Sequence, residues 1–301
     1  MTTRAGTRAS AEGAVVRRHC VLVFAGLDPS GGAGLTADAQ AIAALGAHAL
    51  TVCTALTVQD NDRVYDVQPV QAELVSRQAC ALTDKMAISA IKIGITGSAA
   101  NARAIAQVIE QLRAQQPDLP VVLDPVLASG HGDLLSRDDA VEALAPLLAL
   151  TTIITPNGPE AAALTGAAQA DEQAAILLAR GCRQILITGG HGDGAEIINR
   201  WYGPQGRREW RWPRLPGDFH GSGCTLAAAI AAIAAVHPGS HPGSGLPLRH
   251  EHCRSLDYGS ARDAMEDLTP ELERAQHFTY LALRDAYAIA DGQRVPLRHF
   301  L

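Results

Sequence analysis

Between His220 and Ala229 the chain reads His-Gly-Ser-Gly-Cys-Thr-Leu-Ala-Ala-Ala. Two glycines bracket a serine, a cysteine follows, and the apolar run continues as a helix to about Val236. Such a turn aims several backbone N–H groups and the positive end of a helix dipole at one spot. That spot favours an anion, above all a phosphate. Cys224 stands where a helix N-terminus lowers a thiol pKa, so a thiolate that takes a proton is one reading. An ordinary Gly-rich turn capped by Ser222 is the other.

Five more polar segments follow predicted strands. They cover 26–34, 59–61, 124–132, 155–160 and 189–192. In an open parallel sheet, ligands bind outside the carboxyl ends of the strands, so all five segments converge on one edge. The familiar P-loop is excluded because no Gly-Lys pair occurs in the chain. A protein-kinase set is excluded too, and no GxGxxG follows the first strand. Metal-ligand spacings of the HExxH or CxxC type are missing as well.

The elements that must position these segments follow from periodicity. Apolar strands are predicted over 21–25, 49–56, 90–93, 121–123, 152–155 and 184–188. Helical patterns lie between them, over 35–45, 73–82, 99–112, 138–148, 159–164 and 172–180. Gly46 closes the first helix as a natural C-cap. This alternation implies a mostly parallel sheet with helices on both faces. After Gly190 the pattern changes to a β-hairpin, 195–201 and 207–212, around a Gly/Pro loop. A last helix is expected over about 270–290. Residues 1–18 read as a disordered polar tail without the apolar stretch of a secretory signal. Residues 237–258 read as a flexible insertion rich in Pro, Gly, Ser and His. Residues 19–301 are thus expected to form one domain.

Composition fits this architecture. The chain has 301 residues, 47% hydrophobic and 19% charged, with a net charge of −6. No nucleic-acid or membrane affinity is expected from that balance. Scattered cysteines in apolar runs argue for free thiols and a cytoplasmic protein.

Seven strings in order carry a resemblance: AGLDPSGGAGLTAD (25–38), TALTVQD (54–60), IKIG (91–94), DPVLASG (124–130), TPNGPEAAALTG (155–166), ITGGH (187–191) and HGSGCTLAAA (220–229). Together they are similar to the hydroxymethylpyrimidine/phosphomethylpyrimidine kinases of thiamine biosynthesis. The resemblance implies a ribokinase-like three-layer α/β/α sandwich with a mostly parallel central sheet. It implies transfer from ATP, with Mg²⁺, to 4-amino-5-hydroxymethyl-2-methylpyrimidine and then to its monophosphate. It also implies a homodimer. Pyridoxal kinase, on the same scaffold, is the nearest enzymatic alternative; a silent pyrimidine- or nucleotide-binding regulator is another.

Carried over residue by residue, the resemblance implies that Asp38 and Gln59 hold the pyrimidine, with Gly26, Val58, Ile95 and Val126 as walls. An amide such as Gln59 offers an aminopyrimidine both a donor and an acceptor. Gly221, Ser222, Gly223 and Cys224 would form the anion hole. Asn157, Thr188, Gly190 and His191 would approach the nucleotide. Asn157 and Glu160, one helical turn apart, are hard oxygen ligands suited to Mg²⁺ held mostly through water, with Asp124 adding charge. Glu160 also suits a helix N-terminus without any metal. The chain departs from the family at Thr188, where a lysine is common, and at Ile95, often Met. Its loop after Asp124 is about one residue short.

Overall fold

The computed structural model describes residues 17–127, 140–236 and 269–299. Residues 1–16 of the expected tail, the whole expected insertion at 237–258 and the loop at 128–139 lie outside the described residues.

One nine-stranded sheet runs through the described chain in the order β3-β2-β1-β4-β5-β6-β7-β8-β9. Its strands are β1 (Cys20–Leu27), β2 (His48–Gln59), β3 (Val64–Pro69), β4 (Ile88–Ile93), β5 (Val121–Leu123), β6 (Ile153–Ile154), β7 (Gln184–Ile187), β8 (Glu196–Gly203) and β9 (Gly206–Pro213). The six strands β2, β1, β4, β5, β6 and β7 pair in parallel. β3 adds antiparallel at one edge, and the β8–β9 hairpin adds antiparallel at the other. Val21, Leu22, Val23 and Phe24 of β1 are fully buried, as a strand covered on both faces requires.

Helices cover both faces. α1 (Gly34–Ala44), α7 (Ser222–Val236) and α8 (Thr269–Arg284) lie on one side. Ile42, Ile230, Ile233 and Phe278 from them pack with Val21, Val23 and Leu186 from the sheet. α2 (Ala72–Thr83), α3 (Ala99–Arg113), α4 (Ala140–Leu148), α5 (Gly158–Thr165) and α6 (Ala170–Ala179) cover the other. There Val75, Ile105, Ile109, Leu147, Leu164 and Leu177 meet Leu22, Phe24 and Ile91. α7 is apolar all round and buried from Thr225 to Ile233, while Ser222, Gly223 and Cys224 at its N-terminus stay partly open to solvent. No described helix is long and apolar enough to cross a membrane.

Two expectations change. β3 was not anticipated: in Val-Tyr-Asp-Val-Gln-Pro only Val67 is buried, so the edge strand lacks a readable apolar alternation. The last helix stops at Arg284 rather than near 290. Beyond it the chain turns back, bridging Tyr287 to Val295 and Phe219 to Arg294. That return brings Arg298 into the core, where it is fully buried.

Candidate active site

A cavity of about 1230 Å³ lies along the carboxyl ends of the parallel strands. All five polar segments read from the sequence contribute to its wall, through Gly26, Gln59, Asp124, Asn157 and Gly190 among others. The hairpin end and the Gly221–Cys224 turn close it.

The turn is fixed from below. Gly221 has φ +81°, and a Cβ there would lie 2.1 Å from the carbonyl oxygen of Gly32, so only glycine permits these two loops to touch. α7 begins at Ser222, and Thr225 N–H donates to the Gly221 carbonyl. Ser222 therefore sits in the first helical turn instead of capping it, which corrects the capping reading. The first N–H groups of a helix have no partner within it, and here they face the cavity.

Arg298 locks the arrangement. Its Nε donates to Thr225 Oγ1 at 2.9 Å, its Nη1 to Gln40 Oε1 at 3.1 Å, and its Nη2 to the Gly32 carbonyl. On the 28–34 loop, Asp28 accepts from Ser30 N at 2.7 Å, Ala33 N at 2.7 Å and His220 Nε2 at 2.8 Å. Burial opposes ionisation of Asp28, but these bonds outweigh it and hold its carboxyl below the usual range. The same His220 nitrogen stands 3.3 Å from the Gln59 amide. Gln59 stands beside it at the cavity wall. Ile95 and Val126 pack around Ala55 and Val67 as an apolar patch beside it.

Two of the expected pyrimidine contacts fall elsewhere. Asp38 is fully buried under the floor, with Oδ2 2.8 Å from Lys92 Nζ, and does not line the cavity. Its place is that of counter-ion to a lysine the sequence reading did not assign. Val58 is 56% exposed and points away: side chains alternate along β2, so Thr57 and Gln59 line the cavity and Val58 cannot.

Lys92 is the residue missed. It is fully buried, lines the cavity and stands among Asp38, Asp124 and Cys224. Burial alone would lower its pKa. The surrounding negative charges and the Asp38 bond outweigh that and hold it above the ordinary lysine value. The available signal was small: one of two lysines in the chain, embedded in an apolar strand.

Cys224 reverses the expected thiol chemistry. Burial, together with the nearby Asp38 and Asp124 carboxylates, pushes its thiol up to about 12. Lys92 and the Gly34 N–H act the other way and do not prevail. The helix N-terminus does not make a thiolate here, because desolvation is the larger effect.

Asn157 and Glu160 form a reciprocal cap at the start of α5. Glu160 N–H donates to Asn157 Oδ1 at 2.8 Å, and Asn157 N–H donates to Glu160 Oε2 at 2.9 Å. Burial and the charge of Asp124 push the Glu160 carboxyl up to about 8. Burial also pushes Asp124 up to about 6, with Asp38 adding and Lys92 opposing. One Asp124 oxygen, Oδ2, is buried without a hydrogen-bond partner. Two desolvated, mutually repelling carboxylates with an orphaned oxygen fit a hard divalent cation. Among the described residues no three acidic, His or Cys side chains form a cage.

On the far wall, Thr188 bridges Asn157 and donates its N–H to Pro156. Gly190 and His191 line the cavity; Gly189 lies behind, where a Cβ would fall 2.3 Å from the Ile198 carbonyl oxygen.

This turn, the cap and most of the cavity wall sit within a region, residues 28–239, that matches the phosphomethylpyrimidine kinase family model. The chain belongs to that family. A hydroxymethylpyrimidine/phosphomethylpyrimidine kinase of Escherichia coli is 36% identical over 230 residues, covering 74% of this chain and 85% of that one. Among solved structures, the phosphomethylpyrimidine kinase of Clostridium difficile superposes with a TM-score of 0.66 at 26% identity, covering 87% of this chain and 98% of the other. A Staphylococcus aureus pyridoxal kinase in complex with AMP-PCP gives a TM-score of 0.75 at 24% identity, covering 94% of each chain. That last likeness speaks for the fold. As in these relatives, the ribokinase-like sheet here carries a phosphotransferase.

Proposed function

We propose that the cavity transfers the terminal phosphoryl group of ATP to the hydroxyl of 4-amino-5-hydroxymethyl-2-methylpyrimidine, and afterwards to the phosphate of the monophosphate. The observation that carries this reading is the position of the Gly221–Cys224 turn. Its unpartnered N–H groups open into the same cavity as the Gln59 amide and the Ile95–Val126 apolar patch.

In the first transfer, the substrate oxygen bonds to the terminal phosphorus as the bond to the bridging oxygen of ADP breaks. The hydroxyl proton leaves to solvent or to the product phosphate. Gln59 orients the ring edge, and Ile95, Val126 and Gly26 shape its slot. The turn's N–H groups and the Lys92 ammonium meet charge on the transferring group. Such electrostatic positioning is the main demand of phosphoryl transfer, whose loose transition state needs little help from a base. A neutral Cys224 is compatible with that. Asn157, Thr188, Gly190 and His191 are assigned to the nucleotide. Asp124 and Glu160 would hold Mg²⁺ through water, and the ion would supply positive charge to the phosphates.

We also assign a homodimer. Leu27 and Leu56, register partners, and Val58 are exposed on the β1–β2 surface, an apolar patch suited to a second copy. Sedimentation of the intact protein tests this; a monomer at micromolar concentration overturns it.

The decisive experiment incubates the protein with ATP, Mg²⁺ and the pyrimidine alcohol and resolves mono- from diphosphate. Both products are expected. Monophosphate alone removes the second step. Turnover of pyridoxal without turnover of the pyrimidine replaces the assignment, and binding without any turnover makes the protein a regulator.

A further inference from the structure

The β7 side of the cavity presents the neutral Thr188, yet nucleotide phosphates need a cation. Arg214 follows directly after β9 and lines the cavity with Thr188, Gly190 and His191. Its backbone N–H donates to the Ala195 carbonyl at 2.9 Å. Its Nε donates to the Gly194 carbonyl at 2.6 Å and its Nη1 to the Gly190 carbonyl at 2.8 Å. These bonds orient the guanidinium and tie it to the 190–194 loop. They leave Nη2 buried without a hydrogen-bond partner. Among the described residues no carboxylate pairs with Arg214, so the charge is held in place by neutral carbonyls alone.

A desolvated guanidinium arm without a partner is unfavourable unless an anion completes it. A planar, permanently charged fork matches phosphate oxygens better than an ammonium does. We propose that Arg214 is the residue that binds the phosphates of the nucleotide, its guanidinium taking the charge that Thr188 cannot take. The two carbonyl bonds act as a splint: they fix the guanidinium plane before the nucleotide arrives and couple the loop that carries Gly190 and His191 to the ligand. This inference rests on the ATP reading above.

The test compares binding of ADP and of adenosine to the intact protein by calorimetry, without turnover. Arg214→Gln is expected to weaken ADP at least tenfold while leaving adenosine within twofold of wild type. Arg214→Lys, which keeps the charge, should recover part of the ADP loss. Thr188→Lys in the Arg214→Gln background should recover more, because it puts a cation on the same wall. In steady state, the KM for ATP should rise in Arg214→Gln while the KM for the pyrimidine stays. Equal loss of ADP and adenosine would make Arg214 a loop tether only, and unchanged ADP binding would remove it from the site. Wild-type protein that binds neither ligand would overturn the nucleotide reading itself, and this inference with it.

Discussion

Lys92 Nζ lies 2.8 Å from Asp38 Oδ2 with both side chains fully buried, directly beneath the turn that ends in Cys224. The pair joins β4 to α1 and sets the sign of the cavity floor. Breaking it by Lys92→Met strands a buried carboxylate and is expected to cost on the order of 3–5 kcal/mol in urea denaturation. The double change Lys92→Met, Asp38→Leu should recover most of that stability but not turnover. Full activity in the double variant would remove Lys92 from the phosphoryl site.

Glu160 gives a pH signature with an unusual sign. Its folded pKa, about 8, lies above its ordinary value of 4.5. Between those values the unfolded chain has lost the proton and the folded one keeps it, so stability falls as pH rises across the window and levels off above it. Asp124, raised to about 6 from 3.8, adds a smaller fall in the same direction. Melting of the metal-free protein from pH 5 to 8 should show the decline. Glu160→Gln, which can still accept from Asn157, should flatten it and gain on the order of 1 kcal/mol at pH 8, about 2–4 °C. Saturating Mg²⁺ should flatten it too, by favouring the ionised carboxylates. A profile that rises with pH overturns the assignment.

Cys224 should behave as a neutral thiol. Iodoacetamide at pH 7.5, followed by peptide mapping, should label the exposed Cys80 long before Cys224. Cys224→Ala should keep turnover within about tenfold, since loss of a true general base costs roughly 10²–10⁴-fold. Loss in that larger range would restore the base role.

Gly26 separates cavity shape from stability. An added methyl would meet the Ala55 carbonyl oxygen at 3.6 Å and Ile95 Cδ1 at 3.8 Å, ordinary contacts. Gly26→Ala is therefore expected to shift stability by no more than about 0.5 kcal/mol. Because the methyl enters ligand space, the KM for the pyrimidine should rise roughly tenfold or more. An unchanged KM would place the pyrimidine away from Gly26.

The parallel strands and most helices were legible because most of the strands are short apolar runs and some helices carry readable end signals. Gly46, at φ +88°, closes α1, and the Asn157–Glu160 pair opens α5. β3 was not legible, since an exposed edge strand has little apolar pattern to show. Val58 was misplaced by one residue of strand parity, which spacing alone does not fix without knowing which face meets the cavity.

By itself the sequence determined the alternating architecture, the family, and the set of strand-end loops that must converge, because these depend on local periodicity and on short strings. Tertiary structure decided the electrostatics. Lys92 is a cation held by Asp38, Arg298 is a buried clamp brought back from the C-terminal end, and Arg214 keeps an unpartnered arm; none of these follows from neighbours in the chain. Cys224 shows the difference most plainly. Its place at a helix N-terminus predicts a lowered thiol, and burial together with the Asp38 and Asp124 charges raises it instead, because desolvation is a property of the assembled fold.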